Sequence, residues 1–129
     1  MEQKEVYRLD GEDNTSIRLF INLGMLTNVA KTLIYISRVG ECRSSDIEQG
    51  ANMYQSDVSE ALQELRKRGW VKRQNFKKIK KKGKGRPTYA YNYIADLSEI
   101  LKAVEQKKLE EFEKAKRDIS KLKNIIASR

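Results

Sequence analysis

From Met53 to Val71 the chain reads M-Y-Q-S-D-V-S-E-A-L-Q-E-L-R-K-R-G-W-V, with Val58, Ala61, Leu62 and Leu65 at i, i+3, i+4 and i+7. That spacing puts four apolar side chains on one stripe of an α-helix. Gln55, Ser59, Gln63 and Lys67 follow at steps of four on a second stripe, polar throughout. Gly69 ends the helix as a C′ residue, and Trp70-Val71 begins an extended segment. The pattern predicts a helix over about 54–68, apolar on one side, uncharged and polar on its leading face, and basic at its exit. An ordinary amphipathic surface helix shares the apolar stripe, so the flanking segments decide between the two readings.

Upstream, Val6, Tyr7 and Leu9 are scattered and Gly11 to Ser16 is turn-like. Apolar residues at 17, 19, 20, 21 and 23 read either as a short helix or as an extended arm packed on another element. Thr27 is a candidate N-cap for a helix over 28–39, whose broad apolar face holds Val29, Leu33, Ile36 and, in part, Ile34 and Val39. Gly40 closes it. Ser44 or Ser45 caps a shorter helix, with Ser45 and Glu48 spaced as a capping box and Ile47 pointing inward. Gly50 stops that helix, and Ala51-Asn52 turns the chain into the helix at 54. Three helices, the last two joined by a tight turn containing glycine, are a helix-turn-helix arrangement.

Past Gly69 the period changes. Residues 70–76 and 88–94 are rich in aromatic and β-branched side chains, with Tyr89, Tyr91 and Tyr93 in strict alternation, and they read as two strands. The tyrosine stripe suits hairpin packing better than base stacking. Between the strands lies K-K-I-K-K-K-G-K-G-R-P (77–87), whose Gly83, Gly85 and Pro87 turn the chain. Two strands joined by a basic loop after a helix-turn-helix make a winged helix. Asp96 then caps a last helix over 97–127, about 46 Å long at 1.5 Å per residue. Phe112, Ala115, Ile119, Leu122 and Ile126 alternate spacings of three and four along it, as in a coiled-coil seam. Upstream that register meets Lys108 and Glu105, while Leu97, Ile100, Leu101 and Val104 read as a different stripe. The first half of the helix is expected to pack on the domain and the second to form a dimer contact. The expected fold is mainly α with a small β-hairpin: an N-terminal arm or short helix at the dimer interface (1–22), a winged helix-turn-helix domain (23–95) and a C-terminal dimerisation helix (96–129).

Charge sharpens this picture. The chain carries a formal net charge of +9, and 12 of its 27 Lys and Arg residues fall between Arg66 and Arg86, a stretch of 21 positions without Asp or Glu. The other 15 cations face 18 acidic groups, so the whole positive excess sits in that stretch. A polyanionic partner such as nucleic acid follows more readily from this clustering than from the total. The single cysteine, Cys42, excludes an internal disulfide, and the absence of histidine closes off Cys/His metal sites and the commonest general base. Neither a cofactor nor catalysis is expected. No apolar run is long enough to span a bilayer or serve as a signal segment, which gives a cytoplasmic expectation with no membrane partner.

N-L-G-M-L-T-N-V-A-K-T-L (22–33), R-S-S-D-I (43–47) and Q-S-D-V-S-E-A-L-Q-E-L-R-K-R-G-W-V (55–71) resemble the archaeal and bacterial winged-helix transcriptional regulators of the MarR and TrmB type. G-K-G-R-P-T-Y-A-Y (83–91) is similar to the wing turn of small archaeal members of that group. The resemblance covers about residues 22–94. It implies a homodimeric repressor or activator that binds double-stranded DNA, with the helix near Tyr54 in the major groove and loop 77–87 on the adjacent backbone or minor groove. Larger TrmB-type proteins carry a C-terminal sugar-binding domain, to which nothing in these 129 residues is expected to correspond. No effector pocket is recognisable, so no small-molecule response carries over.

The residues themselves divide the contacts. Gln55, Ser56 and Ser59 are the candidate readers of base edges, with Gln63 and Lys67 farther along the polar stripe and Tyr54 at the helix start on phosphate or base. Arg43 and Ser44 open the preceding helix, which in such a motif crosses the backbone, and are candidates for phosphate. Lys80, Lys81, Lys82, Lys84 and Arg86 are the wing candidates, and Lys84-Gly85-Arg86-Pro87 resembles the core of an AT-hook. Asp57, Glu60 and Glu64 read as acids that complement the helix dipole or pair with Arg68, in preference to metal ligands. Cys42 is expected to face the core. A protein-interaction module and a non-specific architectural nucleic-acid binder remain as rival functions.

Overall fold

The computed structural model describes residues 6–75, 89–93 and 96–129. They form α1 (Gly11–Asn22), α2 (Thr27–Val39), β1 (Glu41–Cys42), α3 (Ser44–Gly50), α4 (Gln55–Lys67), β2 (Val71–Asn75), β3 (Tyr89–Tyr93) and α5 (Leu97–Ala127). The chain divides into two compact units, residues 1–96 and residues 97–129.

In the first unit, the segment that read as turn-like from Gly11 to Ser16 is helical. The Asp10 carboxylate accepts the Asp13 N–H at 2.9 Å, and the Asp13 carboxylate accepts the Asp10 N–H at 3.0 Å. This reciprocal box satisfies two of the amides that a helix start leaves open. It starts α1 six residues before Ile17, the first apolar side chain α1 buries. Helix α2 begins at Thr27, not after it: Leu26 holds the N-cap position with extended backbone and no side-chain cap. Helix α3 likewise corrects the serine caps. Arg43 is the N-cap residue and the Asp46 carboxylate accepts its N–H at 3.0 Å, a one-sided capping bond two residues before the Ser45–Glu48 pair. Gly50 is the buried last residue of α3, and the turn follows through Ala51 and Asn52, the latter at φ 54°. A Cβ at Gly50 would run into the Tyr35 ring and the Tyr7 carbonyl, so glycine is there for close packing rather than to stop the helix.

At the other end of α4, Gly69 (φ 79°) donates its N–H to Arg66 O and Trp70 donates to Leu65 O, the two bonds of a Schellman cap. The chain then enters an antiparallel sheet of order β1-β3-β2, with Arg73 opposite Tyr91 and Cys42 opposite Tyr91 on the other side. Strand β1 is only two residues long and has no counterpart among the expected elements. The core gathers on α2, where Val29, Ala30, Thr32 and Leu33 through Ile36 are all buried. Ile17 and Phe20 of α1, Ile47 of α3, Val58 and Leu65 of α4, Val71 and Ala90 complete it. The second unit is a single helix in which Ile100 is buried and Leu109, Phe112, Ile119, Leu122, Ile125 and Ile126 are exposed. Leu101 lies eleven residues, close to three full turns, before Phe112, so it continues the Phe112–Ile119 stripe instead of leaving it.

The start of the first unit is held by a polar cluster. The Tyr7 hydroxyl donates to Asp13 Oδ2 at 2.5 Å, and Arg38 of α2 donates from Nε to the same hydroxyl at 3.0 Å. Arg38 also pairs with Asp13 at 3.1 Å and Asp10 at 3.6 Å. Asp13 is 4% exposed. Burial alone would raise its carboxyl pKa, but the bonds from Tyr7 and from the Asp10 amide, with the Arg38 charge, hold it below the usual value. A folded-state pKa below the unfolded one adds stability that is full above the ordinary carboxylate range and is lost as pH falls through the lower, folded value. Asp13→Ala should therefore lower stability at pH 7 by about 1–3 kcal/mol. Denaturant titrations of both proteins should show that gap constant down to about pH 4 and closing below it. A gap that does not change with pH would show that the Asp13 charge contributes nothing.

Candidate nucleic-acid interface

Helix α4 is oriented by its apolar stripe. Val58, Ala61, Leu62 and Leu65 are buried, and the helix packs on α2, α3 and β2. Its other side is thereby turned outward: Gln55, Ser56, Ser59, Gln63 and Lys67 are all exposed. Tyr54 occupies the N-cap position in extended conformation with 79% of its surface open. Six of the sequence-derived contact residues therefore lie at the start or on the solvent side of one helix. Arg43 and Ser44 stand at the start of α3, each half-exposed, and Arg43 approaches Asp46 at 4.0 Å. Lys80, Lys81, Lys82, Lys84 and Arg86, with the whole of loop 77–87, lie outside the described residues.

The acids of α4 are not gathered into a site. Glu64 bridges Arg68 at 2.7 Å, one turn on, and the Arg68 guanidinium lies 5.2 Å from the centre of the Trp70 ring. Asp57 sits half-buried in the first turn, where a negative charge complements the helix dipole. Among the described residues no three His, Cys, Asp or Glu side chains are placed to hold a metal ion. Glu60 is exposed on the same side as Ser56 and Gln63.

The cations continue directly from this helix into the sheet. Lys72 and Arg73 are exposed on β2, and Arg73 stacks over Tyr89 of β3 with its guanidinium 4.4 Å from the ring centre. The Lys-rich loop is the stronger signal in the sequence, but these two belong to the same acid-free stretch, Lys72 on the sheet face opposite the buried Val71 and Arg73 on Val71's own face. Tyr89 and Tyr91 are half-buried within the hairpin. Cys42 is buried in β1, and burial, then the nearby Asp46 and Glu41 charges, push its thiol up to about 12. It is held as a neutral, unreactive thiol. Among the described residues no helix is long and apolar enough to cross a membrane.

Helix-turn-helix (α3–α4), antiparallel hairpin (β2–β3) and long C-terminal helix together define a winged-helix fold. Solved structures resembling it are of the MarR and TrmB type. TrmBL2, an archaeal chromatin protein, matches with a TM-score of 0.67 at 14% identity, over 88% of this chain and 41% of its own. A MarR-family transcriptional regulator from Silicibacter pomeroyi matches with 0.52 at 20% identity, over 75% of this chain and 59% of its own. The transcriptional regulator PA4135 gives 0.53 at 15% identity, over 82% and 74%. The chain thus spans less than two thirds of the length of the first two, and at these identities the likeness is one of fold. No protein-family model and no curated protein matches the sequence.

Proposed function

We propose that the protein is a homodimeric, sequence-specific regulator of transcription that binds double-stranded DNA. The observation that carries this reading is the α4 surface, a rigidly backed helix face of exposed Gln, Ser and Lys side chains, continuous with the chain's only uncompensated run of cations. Gln55, Ser56, Ser59 and Gln63 take base edges in the major groove. Tyr54, Lys67, Arg43 and Ser44 take the flanking backbone. Lys72 and Arg73, with Lys80, Lys81, Lys82, Lys84 and Arg86, lie along phosphate or in the adjacent minor groove. The exposed α5 stripe of Phe112, Ala115, Ile119, Leu122 and Ile126 pairs with its copy in a second chain. The reading invokes no cofactor, catalysis or membrane and sets the protein in the cytoplasm.

A second reading, a sequence-blind architectural binder, is favoured by the likeness to TrmBL2, itself described as a chromatin protein. A protein-interaction module needs no such concentration of cations. Selection of bound sequences from a random duplex library separates the readings. A regulator enriches a two-fold-symmetric motif with half-sites roughly 34–36 Å apart or a multiple of that. An architectural binder enriches nothing, and an interaction module binds no duplex.

Variants divide helix from wing. Gln55→Ala should reduce preference for the selected motif by about 1–3 kcal/mol while affinity for random duplex stays nearly constant. The triple variant Lys80→Ala, Lys81→Ala, Lys82→Ala should weaken binding to every duplex alike. Each lost phosphate contact should flatten the slope of log K against log salt by about 0.9. A wild-type slope in the triple variant would remove the wing from the interface.

The dimer is tested separately. Each exposed apolar side chain of the α5 stripe contributes about 1.5–3 kcal/mol when buried. Phe112→Asp combined with Ile119→Asp should yield monomers in sedimentation at micromolar concentration. A variant that still dimerises would move the interface off α5.

A further inference from the structure

We infer that Glu60 is a base-discriminating residue of the α4 surface, placed to accept a hydrogen bond from the exocyclic amino group of a cytosine. The inference rests on the DNA-binding reading above and adds to it one residue and one base.

Its ground is the position of Glu60 on the helix. At about 100° per residue, buried Val58, Ala61, Leu62 and Leu65 centre on one direction of α4, and Ser56, Glu60, Gln63 and Lys67 occupy the opposite one. Gln55 and Ser59 fall to one flank of that line. Glu60 therefore stands near the middle of the outward face, one turn after Ser56 and two turns before Lys67. A surface that approaches DNA with its polar side brings this carboxylate to the groove.

Among the described residues nothing else employs it. Glu64 is bonded to Arg68, and Asp57 complements the start of the helix, whereas Glu60 makes no hydrogen bond or ion pair among the described residues. An unpaired carboxylate facing a polyanion weakens binding to every sequence by like-charge repulsion. At neutral pH it is an acceptor only. The major groove offers it two amino donors, cytosine N4 and adenine N6, and adenine sets the N7 acceptor beside its donor, which repels a carboxylate. Cytosine is the base that repays the charge. In this arrangement the cations supply attraction without sequence, and Glu60 withholds part of it wherever cytosine is missing.

The test compares wild type with Glu60→Gln. Both are taken through selection from a random duplex library, and their affinities for the wild-type motif and for random duplex are then measured. Because Glu60 is exposed, unfolding transitions of the two proteins should coincide, which excludes a folding effect. The wild-type motif should hold a cytosine in each half-site that the variant no longer demands. The variant should bind random duplex severalfold more tightly, and its ratio of motif to random affinity should fall about tenfold or more. If the variant selects the same motif and gains nothing on random duplex, the inference is overturned and the DNA-binding reading stands. If wild type binds no duplex at all, both fall together.

Discussion

Helix α2 keeps almost no solvent face through its middle, and the rest of the first unit depends on that. Leu33, Ile34, Tyr35 and Ile36 are four consecutive buried residues, which no amphipathic surface helix allows. Such a helix is stable only when other elements cover it from several sides, and α1, α3, α4, β1 and β3 all pack on it. Covering each large apolar side chain contributes about 1.5–3 kcal/mol, so the arrangement of those elements is set by α2 before any of their own surface interactions count. The orientation of α4 is a consequence. Its apolar stripe must face α2, and its polar stripe is left outward with no freedom to rotate.

The second consequence concerns how cations are delivered. The Schellman turn at Gly69 takes the chain from the end of α4 into β2 without a linker. A left-handed φ there suits glycine, since a Cβ would cost roughly 1–2 kcal/mol. Arg68 is anchored on both sides by Glu64 and the Trp70 ring, and Arg73 by the Tyr89 ring. These guanidiniums are steadied by neighbours that do not neutralise the stretch as a whole. The helix that would read bases and the cations Arg68, Lys72 and Arg73 are thus one mechanical piece. That is the property a winged helix needs and a loosely tethered basic tail lacks.

How much of this was legible in the sequence depended on whether the signal was periodic. The stripe of α4, the αL glycine after it, the alternating strands and the long C-terminal helix all repeat a spacing, and each sits where the pattern puts it. The failures share another cause. The first six residues of α1 carry no core side chain, so the Asp10–Asp13 box looked like a turn. Two further boundaries turned on caps that statistics assign to Thr or Ser, and the chain uses Leu26 and Arg43. Strand β1 is too short for any period. Tyr7, Asp13 and Arg38 meet across as many as 31 positions, a coincidence that only the packing of α1 on α2 creates. Gly50 falls where a helix-stopping glycine is expected, but what requires it is the close approach of Tyr35, which leaves no trace in local sequence. Glu60 is legible by residue type as one of the acids of its helix, and only its position around the helix joins it to the face it occupies.

The α5 stripe and the α4 face bear on one another through the arithmetic of recognition. One helix face of four or five polar side chains spans roughly three base pairs. Among the roughly 10⁶–10⁹ competing sites of a genome, so short a reading selects nothing, however good each hydrogen bond is. Doubling the reading through a symmetric dimer is the economical remedy, and it requires a self-complementary apolar surface outside the DNA-facing helix. Phe112, Ile119, Leu122 and Ile126 would supply such a surface, exposed on a helix where Leu101, Leu109 and Ile125 are exposed as well. A protein that merely coats DNA has less need of either feature, since its occupancy follows from charge alone. An exposed apolar seam together with a carboxylate on the reading face therefore weighs toward a protein that chooses its sites. Either feature alone would leave the architectural reading equally strong.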